Sequence, residues 1–335
     1  MTRSCLVTGA TGALGPAVVS AFRSRGYRVK ALARHPAPAG LFPSDVETVA
    51  GDILDRTTLD RALSGADVVV HLAALLHFVD PPVSLQVEYE RVNVSGTETL
   101  VRACETASVA RIVYFSSIAV YGYSEKRILT ETEQPKPDTW YARTKLDAER
   151  AILSARDPNG HPIGTVLRLA AVYGSRVKGN YLRLLRALER GRFIPVGRGD
   201  NHRALIYDKD VALAAFLAAE HPAAPGEVFN VSDGTSPTLA QIIDNMCVAL
   251  NRQPPRVSIP VSPVRWAILL AHAVASPVGV RLPITPATFA KYLEDVSVES
   301  SKIREQLGFQ PQYDQATGWR DAIADMRLVS VTGAL

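Results

Sequence analysis

Tyr141 and Lys145 stand four residues apart in Tyr141-Ala142-Arg143-Thr144-Lys145, a spacing that puts both on one face of a helix. A lysine ammonium beside a phenol stabilises the phenolate and lowers its pKa towards working pH. A tyrosine tuned in this way takes a proton from an alcohol, or returns one to a ketone, while a hydride moves at the same carbon. Upstream, the apolar run Arg111–Phe115 ends in Ser116-Ser117-Ile118-Ala119-Val120-Tyr121-Gly122. Hydroxyls at the C-terminal end of a parallel strand open into the ligand crevice, where one can hold the reacting oxygen. The same two serines also suit ordinary turn chemistry.

A second group of residues points to an anion. After the apolar Cys5-Leu6-Val7 comes Thr8-Gly9-Ala10-Thr11-Gly12-Ala13-Leu14-Gly15, three glycines spaced three apart and then a helical pattern. Residues without a Cβ permit a sharp turn, close approach of a pyrophosphate, and tight packing of the next helix on the strand. The helix N-terminus then offers free N–H groups and its positive dipole end.

Short apolar runs at Leu6-Val7, Arg28–Leu32, Val46–Val49, Val68–His71 and Arg111–Phe115 are continuous rather than alternating, as parallel strands covered on both faces require. Helical patterns at 13–25, 56–63 and 85–107 lie between them, followed by a helix over 140–156 and a strand over Ile163–Leu169. This alternation predicts right-handed crossovers and an α/β, doubly wound parallel sheet. Beyond about residue 175 the rhythm loosens. Helices over 179–190, 208–220 and 238–251 alternate with Pro and Gly, and Pro254–Pro286 is Pro-rich and apolar. That predicts a smaller C-terminal substrate-binding appendage over the strand ends.

The 335 residues are 47% apolar and carry 37 Lys+Arg against 33 Asp+Glu, a core-forming composition without a Lys/Arg block. The mild +4 suits an anionic small molecule and argues against nucleic acid. Cys5, Cys104 and Cys247 have neither disulfide nor metal spacing and read as buried thiols, with no metal site. The chain enters a strand at once, which predicts no signal peptide and a cytoplasmic protein. Trp266 to Ala275 is half a membrane span, so no membrane partner is expected. His77 and His202 are polar groups near the expected pocket, and isolated histidines are more often structural.

The glycine loop, Gly51-Asp52-Ile53-Leu54-Asp55, His71-Leu72-Ala73-Ala74, Asn93-Val94-Ser95-Gly96-Thr97, the Ser116–Gly122 run and Tyr141–Lys145 occur in one order. In that order they resemble the extended short-chain dehydrogenase/reductases, specifically the NAD(P)-dependent epimerase/dehydratase branch, densely over about 1–215 and loosely to about 320. The resemblance implies an NAD(P)-binding Rossmann domain over 1–175. The rest, 176–335, is mainly substrate-binding, with about 205–232 returning to the sheet. It implies that Gly9, Gly12 and Gly15, with Thr11 and Leu14, hold the cofactor pyrophosphate. Asp52 and Ile53 meet the adenine, and Leu72, Ala73 and Ala74 line the path to the nicotinamide. Tyr141 is then the acid/base, Lys145 binds the ribose and tunes Tyr141, and Ser117 polarises the substrate oxygen. Asn93 supports the architecture. The helices over 85–107 and 140–156 imply a homodimer, for which Leu100, Ala103 and Ala107, then Leu146, Ala148 and Ile152, supply apolar surface.

The second strand ends Ala33-Arg34-His35 without the carboxylate that would bind a ribose 2′-hydroxyl. Arg34 suits a 2′-phosphate instead, so NADP is favoured over NAD. Dehydratases of the branch place Asp-Glu directly after the catalytic hydroxyl residue. Ile118-Ala119 stand there and move no proton, which disfavours a 4,6-dehydratase. Asn180 and Arg203, in segments that resemble the sugar-nucleotide members, would hold the substrate diphosphate, or Arg203 would simply pair with Asp208 or Asp210. The leading expectation is a nucleotide-sugar 4-epimerase or 4-ketoreductase. The apolar Val261–Val280 stretch keeps open a reductase of hydrophobic, steroid- or polyketide-like alcohols. A non-catalytic cofactor-binding subunit is the third reading, and the intact Ser117, Tyr141 and Lys145 weigh against it.

Overall fold

The computed structural model describes residues 2–76, 84–124, 126–275, 282 and 284–332; His77 and residues 276–281 lie outside them. Strands β1 (Ser4–Thr8), β2 (Arg28–Ala33), β3 (Glu47–Ala50), β4 (Val68–His71), β5 (Arg111–Ser117), β6 (Ile128–Leu129), β7 (Gly164–Leu169), β8 (Ala171–Tyr173), β9 (Leu205–Tyr207), β10 (Val228–Val231) and β11 (Ser297–Val298) alternate with helices. The first seven helices are α1 (Gly15–Arg23), α2 (Arg56–Leu63), α3 (Ser84–Tyr89), α4 (Gly96–Thr106), α5 (Trp140–Ser154), α6 (Asn180–Glu189) and α7 (Asp208–Glu220). The remainder are α8 (Leu239–Ala249), α9 (Val261–Ala275), α10 (Pro286–Leu293), α11 (Ser301–Leu307) and α12 (Gln315–Thr332).

Seven strands form one sheet in the order β10-β7-β5-β4-β1-β2-β3, and every pair in it is parallel. The chain winds outward from β1 to β3, then returns beyond β1 to build β4, β5, β7 and β10. The reversal lies between β1 and β4, whose C-terminal ends flank the crevice where open α/β sheets bind ligands. β1, β4 and β7 are buried along their whole length, which is why their sequences are apolar without alternation. One apolar core fills each face of this sheet.

A third core joins α6, α8 and α12 to the pair β8–β9 through Tyr173, Leu188, Tyr207, Leu239, Met246 and Trp319. Tyr173 stacks on Trp319 with centroids 4.2 Å apart. The two-residue pair β6–β11 ties the loop after β5 to the late chain. Among the described residues no helix is long and apolar enough to cross a membrane, and no cluster of His, Cys, Asp and Glu could hold a metal. All three cysteines are buried and free.

Two expectations need correction. The helix expected over 85–107 is interrupted by a π-helical turn, Glu90–Ser95, between α3 and α4. The extra residue per turn aims Asn93 inward, where it is 1% exposed. The apolar positions offered for a dimer are mostly spent inside the chain: Leu100, Ala103, Ala148 and Ile152 are fully buried in the core between α4, α5 and the sheet. Ala107 is exposed and Leu146 is half-buried.

Candidate active site

The three glycines do different work. Gly9 has φ +65°, and a Cβ on it would lie 2.7 Å from the Ala73 nitrogen, so only glycine lets the β1 turn close against the end of β4. A Cβ on Gly15 would lie 1.8 Å from the Ala10 carbonyl oxygen, so that residue seats α1 on its own loop. Gly12 is exposed, and its Cβ would meet only the Gly9 oxygen, at 3.0 Å. Its N–H donates to the Gly9 carbonyl at 2.9 Å, and its exposed Cα leaves room for a ligand to approach. No side chain caps the N-terminus of α1, which leaves its first N–H groups for an anion. Thr11 and Leu14 are half-buried around this cradle, and Leu72, Ala73 and Ala74 are half-buried across from it. Such a cradle fits a dinucleotide pyrophosphate.

Further along the sheet edge, Ile53 is buried against Gly96, and Asp52 is half-buried with Oδ1 accepting the Leu54 N–H at 3.0 Å. Arg34 is exposed one residue beyond β2.

The crevice is fixed from beneath by a buried chain of hydrogen bonds. Ala73 N–H donates to Thr8 Oγ1 at 3.3 Å, and Thr8 Oγ1 lies 2.7 Å from His71 Nδ1. His71 Nε2 lies 3.0 Å from Thr97 Oγ1, which itself donates to the Asn93 carbonyl at 2.6 Å. Each hydroxyl has one proton to give, so the imidazole must carry its proton on Nε2 and accept on Nδ1. Burial and the charge of Lys145 hold its pKa down at about 3, so it stays neutral. Asn93 accepts the Leu75 N–H at 2.7 Å and donates to the Leu75 carbonyl and to Thr144 Oγ1, both at 3.2 Å. Thr144 in turn donates to the carbonyl of Tyr141 at 3.1 Å.

Ser117 closes β5 and Tyr141 lies in the first turn of α5, which Thr139 caps through the Ala142 N–H. Ser117 is near enough to Tyr141 for its hydroxyl to favour the phenolate. The Ser117 oxygen also accepts the Ala119 N–H at 3.2 Å. The rings of Tyr89 and Tyr141 meet edge to face, 6.3 Å apart, and the Tyr89 hydroxyl donates to the Leu76 carbonyl at 2.8 Å. Lys145 is 3% exposed; its Nζ donates to the Phe115 carbonyl at 2.6 Å and lies 4.5 Å over the Tyr114 ring.

These surroundings reverse one expectation. Burial pushes Tyr141 up to about 12, against the lowering supplied by Ser117. Lys145 is itself pushed down to about 7 by burial, with Glu149 opposing. In the chain alone, loss of water outweighs any help the ammonium gives the phenolate.

Directly below lies a buried ion pair that the sequence did not single out. Arg168 on β7 and Glu149 on α5 are 6% and 2% exposed at their side chains. They share three N–H···O contacts of 2.7, 3.0 and 3.2 Å. Ser116 donates to Glu149 Oε1 at 2.5 Å, and the guanidinium lies 4.8 Å over the Tyr121 ring. The available signals were Glu149, one helical turn beyond Lys145 on the same stripe, and a lone arginine inside an apolar strand.

The two residues expected to hold a diphosphate are engaged with protein. Arg203 Nη2 donates to the carbonyls of Lys291 and Tyr292 at 2.5 and 2.9 Å, not to Asp208 or Asp210. Asn180 opens α6, exposed, with its Oδ1 accepting from Arg183 at 2.5 Å. Arg203 is near enough for its charge to act on Tyr181, beside Asn180. Asn180 and Tyr181 line a small cavity with Tyr173, Lys178 and Trp319 that includes neither Ser117 nor Tyr141. His202 is tied to the loops around it through the Ser236 carbonyl and the Asp295 carboxylate.

A model of the NAD dependent epimerase/dehydratase family matches residues 5–232. An Escherichia coli O157:H7 N-acetyl-alpha-D-glucosaminyl-diphospho-ditrans,octacis-undecaprenol 4-epimerase is 28% identical over 273 residues, 81% of this chain and 81% of its own. A Vibrio cholerae UDP-glucose 4-epimerase is 27% identical across 96% of this chain and 94% of its own. The solved structure of MoeE5 in complex with UDP-glucose and NAD superposes with a TM-score of 0.75 and 27% identity, over 98% of this chain and 99% of that one.

Proposed function

The chain belongs to the NAD dependent epimerase/dehydratase family, and on that premise we propose that it moves hydride at a secondary alcohol or ketone, C4 of a nucleotide-diphospho-sugar. The observation that carries this reading is the placement of Ser117 beside Tyr141 at the end of β5, with the buried Lys145 on the same helix and the three-glycine loop at the end of β1. The loop and α1 would hold the dinucleotide pyrophosphate and Asp52 with Ile53 its adenine. The nicotinamide, when bound, accepts or returns the hydride.

The remaining steps belong to the chain. Tyr141, protonated at neutral pH, gives its proton to a ketone oxygen. In the oxidative direction it takes the proton of the alcohol, and the nearby Ser117 hydroxyl stabilises the phenolate that receives it. Ser117 aims the substrate oxygen. Lys145 spends one N–H on Phe115 and keeps two donors for a ribose hydroxyl.

Ile118 and Ala119, the residues after Ser117, carry no proton to remove water from a neighbouring carbon, so a dehydratase is disfavoured. Two relatives named as 4-epimerases support epimerisation. Arg34, exposed where a carboxylate would select NAD, supports NADP and favours ketoreduction as the second reading. For a diphosphate substrate, the Arg203 guanidinium has donors left beyond those bonded to Lys291 and Tyr292.

The test is incubation of the purified protein with UDP-glucose and NAD, and separately with a 4-keto nucleotide sugar and NADPH, with sugar products read by NMR. Formation of the C4 epimer without net change in nicotinamide absorbance supports the epimerase. Oxidation of NADPH by a 4-keto nucleotide sugar supports the reductase, and the absence of both reactions overturns the proposal.

A further inference from the structure

Helix α9 is the least covered apolar element among the described residues. Its fifteen residues, VSPVRWAILLAHAVA, contain no acid, and only Ala275 is buried. Trp266 is 73% exposed, Leu270 69%, Val274 67% and Leu269 42%. An apolar run of this size on one short helix is more than the scattered exposure of an ordinary surface, and such patches mark contact sites. The helix is about 22 Å long at 1.5 Å per residue, too short to span a bilayer.

What surrounds α9 says what covers it. Residues 251–293 hold no Asp or Glu, while Arg252, Arg256 and Arg265 all stand exposed within or just before the helix. A backbone bridge, Ile259 N–H to the Pro195 carbonyl at 2.9 Å and Gly197 N–H to the Ile259 carbonyl at 2.8 Å, joins this segment to the loop after α6. That loop adds the exposed Arg192, Arg198 and Ile194. The result is an apolar helix with a tryptophan, rimmed by arginines and by no carboxylate from either of the two joined segments 190–199 and 251–275, with Glu189 and Asp200 flanking the first.

We infer that α9 is a membrane-surface helix, which seats its apolar side chains in the interfacial layer of a bilayer carrying anionic lipid headgroups. Apolar and aromatic groups supply burial, and arginines meet lipid phosphate. Tryptophan is suited to this depth, with an apolar body and one polar N–H. A second copy of the chain is the poorer occupant, because a two-fold contact would set the same arginine-rich, acid-free segment against itself. This inference runs against the expectation of no membrane partner and is independent of the chemistry proposed for Tyr141.

The three tryptophans make the test direct. Trp319 is 1% exposed and Trp140 half-buried, so Trp266 dominates any change in solvent access. The full-length chain is mixed with phosphatidylcholine vesicles, with and without phosphatidylglycerol. It is followed by cosedimentation and tryptophan emission, beside the Trp266→Ser/Leu270→Ser variant, whose surface positions leave the fold and cofactor binding unchanged. The expected result is binding to the anionic vesicles with a blue shift, weakened by salt. The variant's affinity falls at least about tenfold, the loss of burying two large apolar side chains. Three results would overturn the inference: no binding to anionic vesicles, equal binding by the variant, or a dimer in sedimentation that the variant converts to monomer.

Discussion

Replacing Glu149 by leucine removes the acceptor of a guanidinium that pairs with no other carboxylate among the described residues. Arg168 is 6% exposed at its side chain and shares three N–H···O contacts with Glu149. Leucine approximates the volume, so little of the damage comes from a cavity. What remains is a buried cation whose pKa is too high to shed its proton. The Tyr121 ring, 4.8 Å away, offsets little of that. Breaking a buried pair from one side costs about 3–5 kcal/mol, a large share of the roughly 5–15 kcal/mol that holds a domain folded. Arg168→Met should cost less, because Glu149 keeps the Ser116 hydroxyl and the charge of Lys145. The double variant should return to within about 1 kcal/mol of wild type, as apolar replacement of a whole pair usually does. Urea unfolding of the four proteins closes the double-mutant cycle. A Glu149→Leu loss under about 1 kcal/mol, or single losses that merely add in the double variant, would refute the reasoning.

Three further outcomes are expected. Gly12→Ala should melt like wild type without cofactor yet bind dinucleotide at least about tenfold more weakly, whereas Gly15→Ala, with its Cβ 1.8 Å from the Ala10 oxygen, should lose about 1–3 kcal/mol of stability first; thermal melts with and without NAD separate the two. Burial, opposed by Lys209, pushes Asp208 from 3.8 up to about 7, and its Oδ1 has no hydrogen-bond partner. The folded state therefore holds that proton more tightly than the unfolded chain, and the penalty is absent below about pH 4 and complete above about pH 7, where it reaches about 4 kcal/mol. Asp208→Asn brings in unpaired N–H donors worth about 1–3 kcal/mol, so the variant should be the more stable protein near pH 8.5 and the less stable near pH 4; a difference independent of pH would contradict this. Arg34→Asp should move the preference from NADP to NAD in a titration of both cofactors, and an unchanged ratio would remove Arg34 from selection.

The parts legible in the sequence are those written within a few neighbouring residues. The glycine loop is legible because turn, cradle and helix start all fall between Thr8 and Gly15. The strands of the sheet were legible because burial on both faces makes them continuously apolar. Glu149–Arg168 and Thr8–His71–Thr97 were not, since each joins elements far apart in the chain. Spacing puts Tyr141 and Lys145 on one face of α5 but could not weigh desolvation, which dominates both pKa values. The π-helical turn at Glu90–Ser95 escaped because its sequence is compatible with a continuous helix, and only the bonds of Asn93 to Leu75 and Thr144 explain it.

The central claim is that Tyr141 exchanges a proton at the carbon where a hydride moves. It is tested most directly with UDP-glucose deuterated at C4 and the NAD-loaded protein, following deuterium by NMR and mass spectrometry beside Tyr141→Phe. The account predicts that deuterium passes between the sugar and the nicotinamide in the wild type. In the variant, exchange should fall by about 10²–10⁴, the usual weight of a general acid/base, while NAD affinity is retained. Epimerisation without label on the nicotinamide, or exchange at the wild-type rate in Tyr141→Phe, would contradict it.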